Sequence, residues 1–123
     1  MTARTFSLTM PMCQMHSSNE GGGHWAVEAR KRKIMRQMAG YAARGLDPIP
    51  GKATLTVLFA FPDKRHRDLD NYSLKGAIDG AVDAGLIADD HSAVLKPITR
   101  DEGDGRSPKG FAVLTFTFSE VQE

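Results

Sequence analysis

The sequence predicts an α+β fold: a mixed β-sheet of about four strands with two helices packed on it, in the order β-α-β-α-β-β. Three observations predict it. Apolar and polar residues alternate at 5–10, 53–61 and 111–118, the pattern of strands with one buried face. Two other segments, 25–44 and 71–84, carry their apolar residues at helical spacing. The 123 residues are 41% hydrophobic and 25% charged, which suits one domain able to fold without disulfide or metal staples. Two helices laid on one sheet would bury both apolar stripes and one face of every strand.

Each element has its own warrant. In 5–10, Phe6, Leu8 and Met10 share one side while Thr5, Ser7 and Thr9 share the other, and Pro11 ends the strand. A loop over 12–23 closes with Gly21, Gly22 and Gly23, which permit backbone conformations denied to other residues. The first helix runs from about Trp25 to Arg44. Val27, Ile34, Met38 and Tyr41 form its stripe, with Met35 and Ala42 beside it, and Arg30, Lys31, Arg32, Lys33 and Arg36 cover the rest. Gly45 suits a C-terminal cap, and Pro48 and Pro50 keep the helix from resuming beyond it. In the second strand Leu55, Val57, Phe59 and Phe61 fall in line. A charged connection, 63–70, leads to a second helix that Asp70 or Asn71 can cap and Gly85 ends. Its stripe is Leu74, Ala77 or Ile78, Ala81 and Val82. Residues 93–99 read as a weak strand interrupted by Pro97, which suits a sheet edge. A polar loop over 101–110 precedes the last strand. Trp25 and the methionines read as core, and Cys13 as a buried thiol.

Composition narrows the class. No apolar stretch approaches the roughly 20 residues of a membrane-spanning helix, and no apolar h-region follows Met1, so neither a membrane partner nor a signal peptide is expected. One cysteine cannot form an internal disulfide, and a reducing cytoplasm is the expected compartment. His16, His24, His66 and His91 lack zinc-ligand spacing. The net charge is +1 but unevenly placed: residues 1–60 hold eight Lys/Arg against three acids, and residues 61–123 hold eight against twelve. A basic half folded onto an acidic half can set a basic surface around an acidic pocket, as metal-using nucleic-acid enzymes require.

The chemistry concentrates in Pro62-Asp63-Lys64-Arg65-His66-Arg67-Asp68-Leu69-Asp70-Asn71, followed by Lys75, Asp79, Asp83, Gly85, Asp89 and Asp90. On an extended backbone Asp68 and Asp70 point to one side, with Leu69 turned to the core between them. Adjacent carboxylates repel unless a cation or proton lies between them, and a hard divalent cation takes oxygen ligands of this kind. Asp89-Asp90 would supply a third ligand. A helix over 71–84 is roughly 21 Å long, whereas five residues after Gly85 span at most about 17 Å. Asp90 therefore reaches Asp70 only if the chain turns sharply at Gly85 and runs straight back, if the helix is shorter, or if a partner subunit provides the third carboxylate. Plainer readings exist for each piece. The aspartate pair suits a helix cap, Asp89-Asp90 a turn, Lys75 and Asp79 a surface ion pair, and the run Arg30 to Lys33 a solvated helix face.

Taken together, residues 62–71 with Lys75, Asp79, Gly85 and Asp89-Asp90 resemble the signature of the RusA-like Holliday junction resolvases, small endonucleases of bacteria and their phages. The match is dense over 62–90, about a quarter of the chain. His24-Trp25-Ala26 before a basic helix resembles a feature of some members. One residue more separates Asn71 from Lys75 than in the shorter form of the motif, which turns Lys75 by about 100° if that residue is helical. The resemblance implies an α+β homodimer that cuts four-way DNA junctions with Mg²⁺, or Mn²⁺ in its place, and needs no small-molecule cofactor. Asp68, Asp70 and Asp90 match the family's metal-binding carboxylates and Lys75 its functional lysine. Lys64, Arg65 and Arg67 are then expected at neighbouring phosphates, with Arg30, Lys31 and Lys33 extending the track. A two-fold dimer would set two identical sites across two strands of like polarity, giving paired nicks with 5′-phosphate and 3′-hydroxyl ends. The exposed parts of the Phe- and Val-rich strands are a candidate dimer surface. Two other readings are a non-catalytic DNA-binding or phage-assembly module that keeps the fold, and a flap or fork nuclease with the same metal site.

Overall fold

Side chains alternate across a strand, so every second residue shares a face. In a computed structural model, which describes residues 3–15 and 25–121, that rule builds a mixed four-stranded sheet. Its strands are β1 (Ala3–Pro11), β2 (Ala53–Ala60), β3 (Leu95–Glu102) and β4 (Phe111–Glu120), in the spatial order β1-β4-β2-β3. Strand β4 runs antiparallel to both neighbours, and β3 runs parallel to β2. A parallel pair needs a crossover, which is supplied by the second of two helices, α1 (Trp25–Ala43) and α2 (Lys75–Asp83). The element order and the α+β class match the expectation from sequence. The glycine run 21–23, His16 and His24 lie outside the described residues.

One face of the sheet is apolar and covered by the helices. Phe6, Leu8 and Met10 of β1, Leu55, Val57 and Phe59 of β2, and Leu114, Phe116 and Phe118 of β4 are all buried there. Phe6 stacks on Phe116 with ring centroids 5.1 Å apart. The other face carries hydroxyls, with Thr5 bonded to Thr117 at 3.2 Å and Ser7 to Thr115 at 3.1 Å. The strand phenylalanines other than Phe111 are buried, and the exposed large apolar residues of the strands are Leu58, Ile98 and Phe111. Strand β3 is an edge, as Pro97 predicts. Leu95 faces Ala53 and Ile98 faces Leu55, so Lys96 and Pro97 together oppose Thr54 in a bulge.

Helix α2 buries Ala77, Ile78 and Ala81, with Leu74 just before it, as expected, whereas α1 departs from its expected stripe. Alpha-1 buries Met35, Ala39 and Ala43, whereas Tyr41 and Val27 are exposed and Trp25 is 81% exposed. Small residues win because the two helices approach backbone to backbone. A Cβ on Gly76 would lie 2.6 Å from the Arg32 carbonyl oxygen, and one on Gly80 would lie 2.7 Å from the Gly40 nitrogen. Large side chains on this line would hold the helices apart. Cys13 is exposed rather than buried. Alpha-2 begins at Lys75, not Asn71, and a separate 3-10 turn, Leu69–Asn71, precedes it. Neither Asp70 nor Asn71 caps it; the cap position is Leu74, and the Ser73 hydroxyl accepts the Lys75 N–H at 3.3 Å.

Candidate active site

The segment from Pro62 to Leu74 leaves the end of β2 and is pinned to it by rings. Tyr72 packs against Phe59 and Phe61 with centroids 5.9 and 5.8 Å apart, and Leu69 adds its side chain to the core. Arg67 lies over the Phe61 ring at 4.3 Å and donates to Asp63 Oδ1 at 2.9 Å. Its side chain is only 11% exposed, so Arg67 holds the loop, and Lys64 and Arg65 are the exposed cations of this stretch. Asp63 also accepts the Arg65 N–H at 3.0 Å. The Arg67 hydrogen bond, with the Arg65 N–H behind it, keeps the Asp63 carboxyl below the usual carboxylate range.

Asp68 and Asp70 do not lie side by side on an extended strand. Asp68 is the cap of the 3-10 turn, and its carboxylate accepts the Asp70 N–H at 3.1 Å. An aspartate at this position satisfies a backbone donor that the turn leaves unpaired, and that bond competes with facing Asp70. Asp70 turns toward β3, where Arg100 Nη1 lies 3.9 Å from its Oδ1. Its side chain is 84% exposed.

Residues 72–74 are not helical, so the extra residue before Lys75 lengthens a loop and does not rotate the lysine about a helix. Lys75 opens α2. Its Nζ donates to Asp90 Oδ2 at 2.8 Å and lies 3.5 Å from Asp79 Oδ1. Asp90 meets Lys75 and not Asp70; a shorter helix and a sharp turn at Gly85, two of the routes expected for its return, bring it to this end of α2. The helix is nine residues long, about 13 Å, and Gly85 turns the chain at φ +80°. The returning segment is fixed where the Ile49 N–H donates to the Leu86 carbonyl at 2.8 Å. Asp89 acts as a turn residue, its Oδ1 accepting the Asp90 N–H at 2.7 Å. The hydrogen bond to Asp90, helped by the charges of Asp79 and Asp90, raises the Lys75 ammonium above its ordinary pKa. The same bond, followed by the one with Asp89, holds Asp90 below the usual carboxylate range.

The site therefore gathers Asp68, Asp70 and Arg100 at one 3-10 turn, and Lys75, Asp79 and Asp90 at the adjacent start of α2. Sequence reasoning does not place Arg100. Its register opposite Val57, on the strand beside the 3-10 turn, is the signal that finds it. The donor type suits Mg²⁺, being carboxylate oxygen throughout. In their present positions, among the described residues, no three His, Cys, Asp or Glu side chains are grouped to hold a metal ion. Each candidate ligand faces another partner, Asp68 its own turn, Asp70 Arg100, and Asp90 Lys75.

The cations of α1 divide. Lys31 lies 3.7 Å from Glu28 and is largely covered, Arg30 is exposed, and Lys33 lines a groove between α1 and α2. Arg36 holds Asp83 with both arms, Nε to Oδ2 at 2.6 Å and Nη2 to Oδ1 at 2.8 Å. That pair raises the Arg36 pKa and lowers that of Asp83. Among the described residues no helix is long and apolar enough to cross a membrane. No protein-family model matches the chain, and no curated protein matches it at a significant level.

Proposed function

We propose that this protein is a RusA-like, metal-dependent endodeoxyribonuclease that hydrolyses phosphodiester bonds in branched DNA, with the four-way junction as its substrate and a two-fold dimer as its working form. The observation that carries the reading is the 2.8 Å contact between Lys75 and Asp90, residues 15 apart in sequence. It brings the third carboxylate of the motif to the lysine, one short loop from Asp68 and Asp70. Plain surface charge gives no reason for a nine-residue helix and a glycine turn to return Asp90 to that end.

The chain's own residues have separable tasks. Lys64 and Arg65 meet neighbouring phosphates as exposed charges and orient the strand. Lys75 leaves Asp90 for the scissile phosphate and offsets the charge that develops on its oxygens. Arg100 draws Asp70 toward β3 until the carboxylate is taken up by the metal. Mg²⁺ or Mn²⁺, held by Asp68, Asp70 and Asp90 once these turn from their present partners, would supply an activated water and charge neutralisation at the leaving oxygen.

One observation favours a second reading, a DNA-binding module without catalysis: Lys75 already neutralises Asp90, and the described residues contain no ready metal group. Cleavage of a labelled four-way junction, beside linear duplex, fork and flap, with Mg²⁺ or with EDTA, separates the readings. Paired symmetric nicks in the junction that vanish with EDTA are the expected result. Binding without cleavage under any divalent metal gives the second reading. Preferential cutting of flaps or forks makes the protein a nuclease of that class instead.

A further inference from the structure

Helices α1 and α2 leave a groove of about 660 Å³ along their shared outer side. Its α1 wall carries Arg32, Lys33, Arg36, Tyr41 and Arg44, and its α2 wall carries Asp79 and Asp83. The two carboxylates are already answered, Asp83 by both arms of Arg36 and Asp79 by Lys75 at 3.5 Å. Arg32, Lys33 and Arg44 make no ion pair with the described residues, so the groove is cationic. Tyr41 is 75% exposed on a helix whose buried side is made by Met35, Ala39 and Ala43, so it has no part in the core. The Arg44 guanidinium lies 5.4 Å from its ring centroid.

We propose that this groove holds an unpaired DNA strand, its phosphates on Arg32, Lys33 and Arg44 and one base stacked on Tyr41. Cations alone would suit a duplex equally well. A solvent-exposed aromatic ring among the cations is the combination that binds single strands, because every base has a face to stack, and Arg44, which lies over the ring, swings to a phosphate as a base takes its place. Lys33 to Arg44 covers roughly 17 Å of helix, long enough for a short run of an unpaired strand. Asp79 lies both in the groove and beside Lys75, so the strand enters from the candidate active site. This direction rests on the nuclease reading; the strand binding itself does not.

Fluorescence anisotropy at low salt tests it, with a labelled oligothymidylate and a labelled blunt duplex as probes. The proteins are wild type, Tyr41→Ala, Tyr41→Phe and Arg44→Ala, each also assayed for junction cleavage. Wild type is expected to bind the single strand more tightly than the duplex. Tyr41→Ala should lose roughly 5- to 150-fold in single-strand affinity, Tyr41→Phe should retain it, and Arg44→Ala should lower it with a flatter salt dependence. Tyr41 is exposed, so an unchanged thermal melt should accompany the loss. Equal single-strand binding by Tyr41→Ala and wild type overturns the groove and leaves the nuclease reading standing. Tyr41-dependent binding in a protein that cuts no DNA supports the groove and removes the nuclease. A wild type that binds no nucleic acid overturns both.

Discussion

Helix α2 carries a cation–carboxylate contact at each end, and the two are built differently. Near its C-terminal end Arg36 grips Asp83 with two parallel hydrogen bonds across the helix pair. At its N-terminal end Lys75 gives Asp90 one bond and shares its charge with Asp79. A guanidinium fork fixes both distance and angle, whereas an ammonium is a point charge on a flexible stem. The first contact is a clasp between helices that already touch through Gly40, Gly76 and Gly80. The second can be handed to another anion with little cost in geometry. On a helix of nine residues, then, the face toward α1 is committed to packing, and Lys75 with Asp79 remains available for chemistry.

The largest expected effect breaks the movable contact. Lys75→Ala should lower junction cleavage about 10²- to 10³-fold, the size of losing one preorganised charge at a transition state, and leave the melting temperature nearly unchanged. Single-turnover cleavage beside a thermal melt checks this, and a wild-type rate would make Lys75 a surface ion pair only. The packed side should respond in the opposite sense. Gly80→Val forces a side chain into the α1 backbone and should cost about 3 kcal/mol, near 10 °C in melting temperature.

Smaller effects sharpen the contrast. Lys64→Ala and Arg65→Ala should each flatten the salt dependence of junction binding by about one unit of log–log slope. Arg67→Ala, losing its place over Phe61 and on Asp63, should lower stability and leave that slope alone. Arg36→Met should lower the melting temperature by no more than a few degrees, because its pair with Asp83 is solvent-exposed.

The smallest effect is in pH. The Asp90 carboxyl is held low, so its contribution to stability is present above the ordinary carboxylate pKa and fades as pH falls through the lowered folded value. Lys75 is held high, so its contribution is present below the ordinary lysine pKa and fades as pH rises through the raised folded value. Between about pH 5 and 9 the pair should leave stability flat. Lys75→Met should raise the Asp90 titration midpoint, read by carboxyl NMR.

The strands are legible because a half-buried sheet leaves a two-residue pattern in its own sequence, and Phe6, Val57 and Phe116 announce their face. The α1 stripe misleads because an interface made by Gly76, Gly80 and Ala39 has almost no hydrophobic signal. Periodicity instead favours Val27 and Tyr41, which are exposed. Trp25 and Cys13 mislead for a related reason, since residue type alone does not say which side of a helix or turn meets the core. At the site, the set of carboxylates and the return of Asp90 can be argued from lengths and a glycine. The capping bond of Asp68 and the approach of Arg100 depend on a turn geometry and a strand register that no local pattern encodes.

The central claim is that Asp68, Asp70 and Asp90, with Lys75, cut DNA, and Asp70 is the most direct place to test it. Junction binding and junction cleavage should be measured side by side for wild type and Asp70→Asn in Mg²⁺. Cleavage should be abolished while binding is kept or tightened, because the substitution removes a negative charge beside the strand. Cleavage by Asp70→Asn at the wild-type rate would contradict the account.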